Sequence, residues 1–283
     1  MTTKHSATFT YQSQEIVFHF WASDPKNTDS PPDTILFLGT GQVAKIPKWV
    51  AQSALPGTVI VEGLPHWFSA PDASDLLEFS NEYTACAFEA VLREFGVSSM
   101  HIIGESQATP GTIWLANKLP QKVRNVGLIV PMGLNTAQLG ATDDDRFKEL
   151  RRRTLRTLLQ LEQSPLRDPR NLYIGVLLAK IVISGLRDGS TVKKYRAGIS
   201  KDMLQEFAAL TTTAMAHQRQ VILFIGSKDK LFPEHEISKS LQSAGITNVQ
   251  VKTMTNVSHS SLGIRASKTP LRHAIQTVRS AKP

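Results

Sequence analysis

His101, Ile102, Ile103, Gly104, Glu105, Ser106, Gln107 and Ala108 read in order as a β-strand breaking into a sharp turn, with a serine at its apex. Small residues stand two positions either side of Ser106. Gly104 and Ala108 let strand and following helix approach closely while the serine takes a strained conformation. Such a turn lifts a weak nucleophile above its sheet. The pattern is G-x-S-x-A, with Ala108 where glycine is commoner. A serine between small residues recurs by chance, so the motif needs partners elsewhere in the chain.

The partners lie downstream. Residues 221–225 form a continuous apolar run suited to a buried parallel strand. The run is followed by Gly226, Ser227, Lys228, Asp229, Lys230, Leu231, Phe232 and Pro233, which puts Asp229 just beyond a strand's carboxyl end. A second strand candidate, residues 249–255, leads into Asn256, Val257, Ser258, His259, Ser260, Ser261, Leu262 and Gly263. His259 therefore falls on a loop beyond another strand end. In open parallel sheets that rim is where active sites assemble.

With serine, acid and histidine in this order, the chain resembles the α/β-hydrolase family. The resemblance covers most of the chain. It rests on the elbow at 104–108, the acid motif G-x-x-D-x-x-x-P at 226–233 and the histidine loop at 258–263. It implies that Ser106 is the nucleophile and that His259 accepts its proton during attack and returns it to the leaving group. Asp229 would hold the imidazole in the right tautomer. The resemblance also implies two backbone donors for the oxyanion, one of them the amide of Gln107. The other should come from the loop after an earlier strand. Residues 34–38 read as that strand, and Gly39, Thr40, Gly41 and Gln42 as a tight loop. The family usually carries a His-Gly pair there. This chain has Gly39 without the histidine, which leaves Thr40 or Gly41 as the donor.

The implied activity is hydrolysis of an ester, thioester or similarly activated carbonyl compound through an acyl-enzyme, with no cofactor and no metal. The same triad serves carbon–carbon bond hydrolysis, lactone opening and acyl transfer. The fold also serves as a non-catalytic receptor for small molecules.

Organisation along the chain agrees with an α/β protein. Residues 9–11 and 15–22 read as an opening antiparallel hairpin, and 24–33 as a polar connection bearing prolines. Strand candidates recur at 34–38, 58–61, 100–103, 126–130, 221–225 and 249–255, with helical stretches at 75–95 and 109–118 between them. This alternation predicts a mostly parallel central sheet flanked by helices. It lapses between about 141 and 220. Asp143, Asp144 and Asp145 precede a helical stretch at 147–163, and further helix candidates run over 171–184 and 201–217. An insertion here resembles the helical cap common in the family. The expected division is a core over 1–138 and 218–283, with an inserted cap over 139–217.

Composition sets the remaining bounds. A chain of 283 residues, 41% hydrophobic, can bury a substantial core. The N-terminus is polar, and the apolar tract at 173–186 is interrupted by Lys180 and is too short to span a bilayer. A soluble, cytoplasmic protein without a membrane span is expected. The single cysteine, Cys86, reads as a core thiol. The net charge of +8 gathers in groups such as Arg151, Arg152, Arg153 and Arg156, without a zinc-ligand pattern, an RNA-binding aromatic motif or a phosphate loop. Solvated faces explain it better than a nucleic-acid partner, and the expected partner is a small-molecule substrate. His66, Trp67 and Phe68 either line the pocket or simply pack. Glu105 tunes the nucleophile's surroundings or faces solvent. His235 and Glu236 read as an exposed helix start.

Overall fold

The chain first reverses at Gln12 and Ser13, both in the left-handed region at φ 45° and 65°. They form a two-residue loop whose twist suits the strands it joins, β1 (Thr2–Tyr11) and β2 (Gln14–Ser23). Alternation then decides the faces. Phe9, Tyr11, Ile16, Phe18, Phe20 and Ala22 are buried, while Val17 is left exposed on the other side. The hairpin is thus much longer than the sequence segments 9–11 and 15–22 suggested, because cross-strand pairing carries polar residues such as Lys4 and Ser6 into it.

The computed structural model describes residues 2–23, 30–39, 55–63, 76–159, 202–258 and 268–282. Six further strands complete the sheet: β3 (Thr34–Phe37), β4 (Thr58–Val61), β5 (Met100–Glu105), β6 (Val123–Ile129), β7 (Val221–Gly226) and β8 (Gln250–Met254). The order across the eight-stranded sheet is β1-β2-β4-β3-β5-β6-β7-β8. β2 pairs antiparallel with β1 and β4, and every pairing from β4 to β8 is parallel. All six parallel strands therefore end on one rim. β3, β4 and β7 are buried along their whole length, as expected of apolar runs covered on both faces.

Among the described residues the α-helices are α1 (Leu76–Phe95), α2 (Thr109–Lys118), α3 (Asp143–Leu159), α4 (Leu204–Ala216), α5 (Glu234–Ser243) and, after the last strand, α6 (Lys268–Ser280). On one face of the sheet Phe18, Phe79, Phe88, Phe207 and Leu223 join one apolar core; on the other Leu36, Ile60, Ile103 and Phe224 pack with Ala274, Ile275 and Val278 of α6. α6 sits close because Gly127 lacks a side chain: a Cβ there would lie 2.7 Å from a Val278 methyl. Arg279 pins the same helix to the strand starts, bonding Thr34, Thr58 and the Pro56 carbonyl and pairing with Asp33.

α3 begins four residues earlier than the composition suggested. Thr142 caps it, its Oγ1 accepting the Asp145 N–H at 3.2 Å and donating to the Asp145 carboxylate at 2.7 Å. The acidic run therefore lies in the helix's first turn. The expected helix at 171–184 lies outside the described residues. Among the described residues no helix is long and apolar enough to cross a membrane.

Candidate active site

Ser106 stands where β5 ends and has φ 50°, a left-handed conformation unusual for a serine. The residue before it, Glu105, is still extended, and residues 106–108 make a single 3₁₀ turn that runs into α2. Two small residues make this junction possible for different reasons. A Cβ at Gly104 would lie 2.2 Å from Thr112 Oγ1 and 2.8 Å from Thr112 Cβ, so strand and helix touch there. Ala108 has φ −78° and ψ −7°, an ordinary helical conformation that any L-residue adopts. This accounts for alanine where the commoner motif has glycine.

Gly39, just past β3, lies against the elbow. A Cβ on Gly39 would be 3.2 Å from Ser106 Cβ and 3.3 Å from the Gln107 amide nitrogen. Gly63, just past β4, presses from behind, since its Cβ would fall 2.3 Å from the Gly39 carbonyl oxygen. Glu105 completes the clamp: its Oε2 accepts the Gly39 N–H at 3.0 Å. Of the two readings open for Glu105, the structure favours the one in which it acts on the surroundings of Ser106 over one in which it only faces solvent. Thr40, Gly41, His66, Trp67 and Phe68 lie outside the described residues.

Asp229 sits where β7 gives way to a loop, and it is buried. Its Oδ1 accepts the N–H groups of Leu231 at 2.8 Å and Phe232 at 3.0 Å, while its own N–H bonds to the Gly226 carbonyl at 2.9 Å. The exit of β8 is tied to this turn. Ser227 and Lys228 donate to the carbonyls of Met254 and Val257, and a Cβ on Gly226 would meet the Val257 oxygen at 2.4 Å. The segment leading to His259 is therefore fixed beside the acid as far as Val257. His259 itself lies outside the described residues. A cavity of about 390 Å³, open to solvent, borders Asp229 and is lined also by Ser227, Pro233, Glu234, His235 and Ser238.

Of the further histidines, His235 lines that cavity, whereas His101 and His217 stand on other elements. His101 is at the opposite end of β5 from Ser106, where its Nδ1 accepts the Asn125 N–H and burial pushes its pKa down to about 4. His217 follows the last turn of α4, and His235 stands in the first turn of α5. Burial raises the Cys86 thiol's pKa, in keeping with an unreactive thiol. Among the described residues no group of three or more histidine, cysteine, aspartate or glutamate side chains could hold a metal ion.

Two features escaped sequence reading. Glu236 is not the solvated residue a helix start suggested, because it receives a two-pronged bond from Arg153 of α3 at 2.8 and 2.8 Å. Glu62, just after β4, is buried, with Oε1 accepting the His19 N–H at 2.7 Å and Oε2 without a hydrogen-bond partner. No local pattern signals either one.

No protein-family model matches the sequence, and no curated protein matches it. Solved structures match along almost all of it. An acetylester hydrolase from Corynebacterium glutamicum is 11% identical with a TM-score of 0.61, over 99% of this chain and 96% of that one. A hydrolase from Pseudomonas aeruginosa PA01 is 14% identical with a TM-score of 0.59, over 98% of each chain. An α/β-hydrolase enzyme from a Medee basin deep-sea metagenome library is 14% identical with a TM-score of 0.58, over 98% of each chain. At such identities the likeness is one of fold. The chain has the α/β-hydrolase fold.

Proposed function

We propose that the protein is a serine hydrolase that cleaves an ester, thioester or similarly activated carbonyl compound through an acyl-enzyme. The observation that carries this reading is the left-handed Ser106 at the end of β5, with the Gly39 backbone packed against the next amide, that of Gln107. In this reading Ser106 Oγ attacks the carbonyl carbon and passes its proton to His259. The negative oxygen of the tetrahedral intermediate is received by the Gln107 N–H and a second N–H from Thr40 or Gly41. Collapse of the intermediate breaks the bond to the leaving group, which takes the proton from the imidazolium. Water then attacks the acyl-serine by the same route and regenerates the enzyme. Asp229, held by two backbone donors, keeps one carboxylate oxygen fixed and orients His259 with the other.

α3 and α4 fall between β6 and β7, and the stretch 139–217 is read as a cap that roofs the rim and shapes the substrate pocket. A small molecule entering there needs no cofactor for the acyl transfer described. The cytoplasm is the compartment this reading favours. The solved esterases and hydrolases of the same fold support the ester class of substrate. The test is covalent labelling by a fluorophosphonate probe, with turnover of an activated ester. Labelling should disappear in Ser106→Ala, and turnover should fall by about four orders of magnitude. Folded wild-type protein that neither labels nor cleaves would overturn the proposal.

A further inference from the structure

The carbonyl of Leu231 and the N–H of Phe232 belong to one planar peptide unit, and both of its ends are engaged. Its N–H donates to Asp229 Oδ1 at 3.0 Å. Its oxygen accepts Arg153 Nη1 at 3.3 Å and Asn135 Nδ2 at 3.4 Å. Because the unit is rigid, fixing the oxygen also fixes the N–H that holds the acid.

Arg153 is itself held on three sides. Nη1 and Nη2 grip the two oxygens of Glu236 at 2.8 and 2.8 Å, and Nε donates to Glu149 Oε1 at 2.8 Å. The Arg153 and Glu236 side chains are only 13% and 14% exposed, so solvent competes little with the fork. Asn135 closes the arrangement from the loop after β6, donating to Glu236 Oε2 at 2.9 Å. Hydrogen bonds from Arg152 and then Arg153 hold the Glu149 carboxyl down to about 2, so it stays ionised as an anchor. A pair serving only to tie α3 to α5 would need the fork alone. The added contact with the Leu231 oxygen aims the guanidinium at the turn that grips Asp229.

We propose that Arg153 is a positioning residue for Asp229, acting through the Leu231–Phe232 peptide unit; this rests on the hydrolase reading above. The helix opening the 139–217 stretch would then set the catalytic acid's geometry as well as cover the site. A lysine cannot substitute, since it offers a point charge without the planar fork.

The test is a double-mutant cycle on the rate of Ser106 labelling by a fluorophosphonate, with folding of each variant followed by circular dichroism. Arg153→Met should slow labelling about tenfold in the wild-type background, the scale of a small misplacement. In an Asp229→Asn background the same change should cost less than about twofold, because its route of action is already cut. Arg153→Lys should remain near the methionine variant. Should Arg153→Met fail to fold, Glu236→Gln enters the same cycle, since it loosens the fork while keeping its shape. Equal losses in both backgrounds, no loss in the wild type, or full recovery with lysine would overturn the positioning role while leaving the hydrolase reading standing. Absence of labelling in folded wild-type protein would overturn the hydrolase reading, and this inference with it.

Discussion

Replacing Glu62 by glutamine should change how stability depends on pH. Burial pushes the Glu62 carboxyl up to about 7 from 4.5, against the smaller opposing effects of the His19 amide and Lys4. Between those two pH values the folded protein keeps a proton that the unfolded chain has released. Stability from this group is therefore present below about pH 4.5, falls as pH rises towards 7 and is flat beyond. At about 1.4 kcal/mol per pH unit the loss amounts to about 3 kcal/mol. Glu62→Gln keeps an oxygen to accept the His19 N–H and cannot ionise. The variant should match the wild type near pH 4.5 and exceed it by about 3 kcal/mol at pH 8, or about 5 °C in melting temperature for a chain of this size. His101 works in the opposite sense. Burial first, then Arg124 and Arg279, against an upward pull from Asp33, hold its pKa down to about 4, so its contribution is lost as pH falls from 6.5 towards 4. The two slopes offset each other in the wild type, so the variant should lose stability in acid more steeply. Urea unfolding at half-unit pH steps measures the difference curve. Parallel curves for the two proteins from pH 4.5 to 8 would refute the reasoning.

Gly39→Ala places a methyl 3.0 Å from the Glu105 carbonyl and 3.3 Å from the Gln107 nitrogen, a spacing that the loop relieves by shifting a few tenths of an ångström. Fluorophosphonate labelling should slow by about ten- to a hundredfold with little change in melting temperature, because the shift falls on the Gln107 amide proposed to receive the oxyanion. Arg279→Ala removes bonds to Thr34, Thr58 and Pro56 where β3 and β4 begin. It should cost about 2–3 kcal/mol in urea unfolding while leaving the labelling rate of the folded protein unchanged, since these contacts lie at the sheet end away from Ser106.

Much of the sheet was legible. The apolar run at 221–225 became β7 with one residue added, 58–61 became β4 unchanged, and 109–118 became α2 unchanged. Buried strands and a helix opened by a proline announce themselves through neighbours in sequence, so local reading suffices for them. It failed at the hairpin. Lys4 and Ser6 look unlike strand residues alone, and the partner strand decides their pairing.

The candidate site divides in the same way. Gly104, Ser106 and Ala108 were readable because the turn depends on residues two positions apart, and Asp229 because a strand ends just before it. The clamp from Glu105 to Gly39 spans 66 positions and the fork from Arg153 to Glu236 spans 83. Sequence alone thus determined which segments become strands, which serine sits on the sharp turn and which acid follows β7, because propensity and spacing act over a few residues. The tertiary structure alone decided that Gly39 rests on the elbow, that Glu62 is buried and that a cationic helix grips the acid's turn. Those facts depend on which chain segments the sheet order brings together, and water exclusion and charge pairing act only once that order exists.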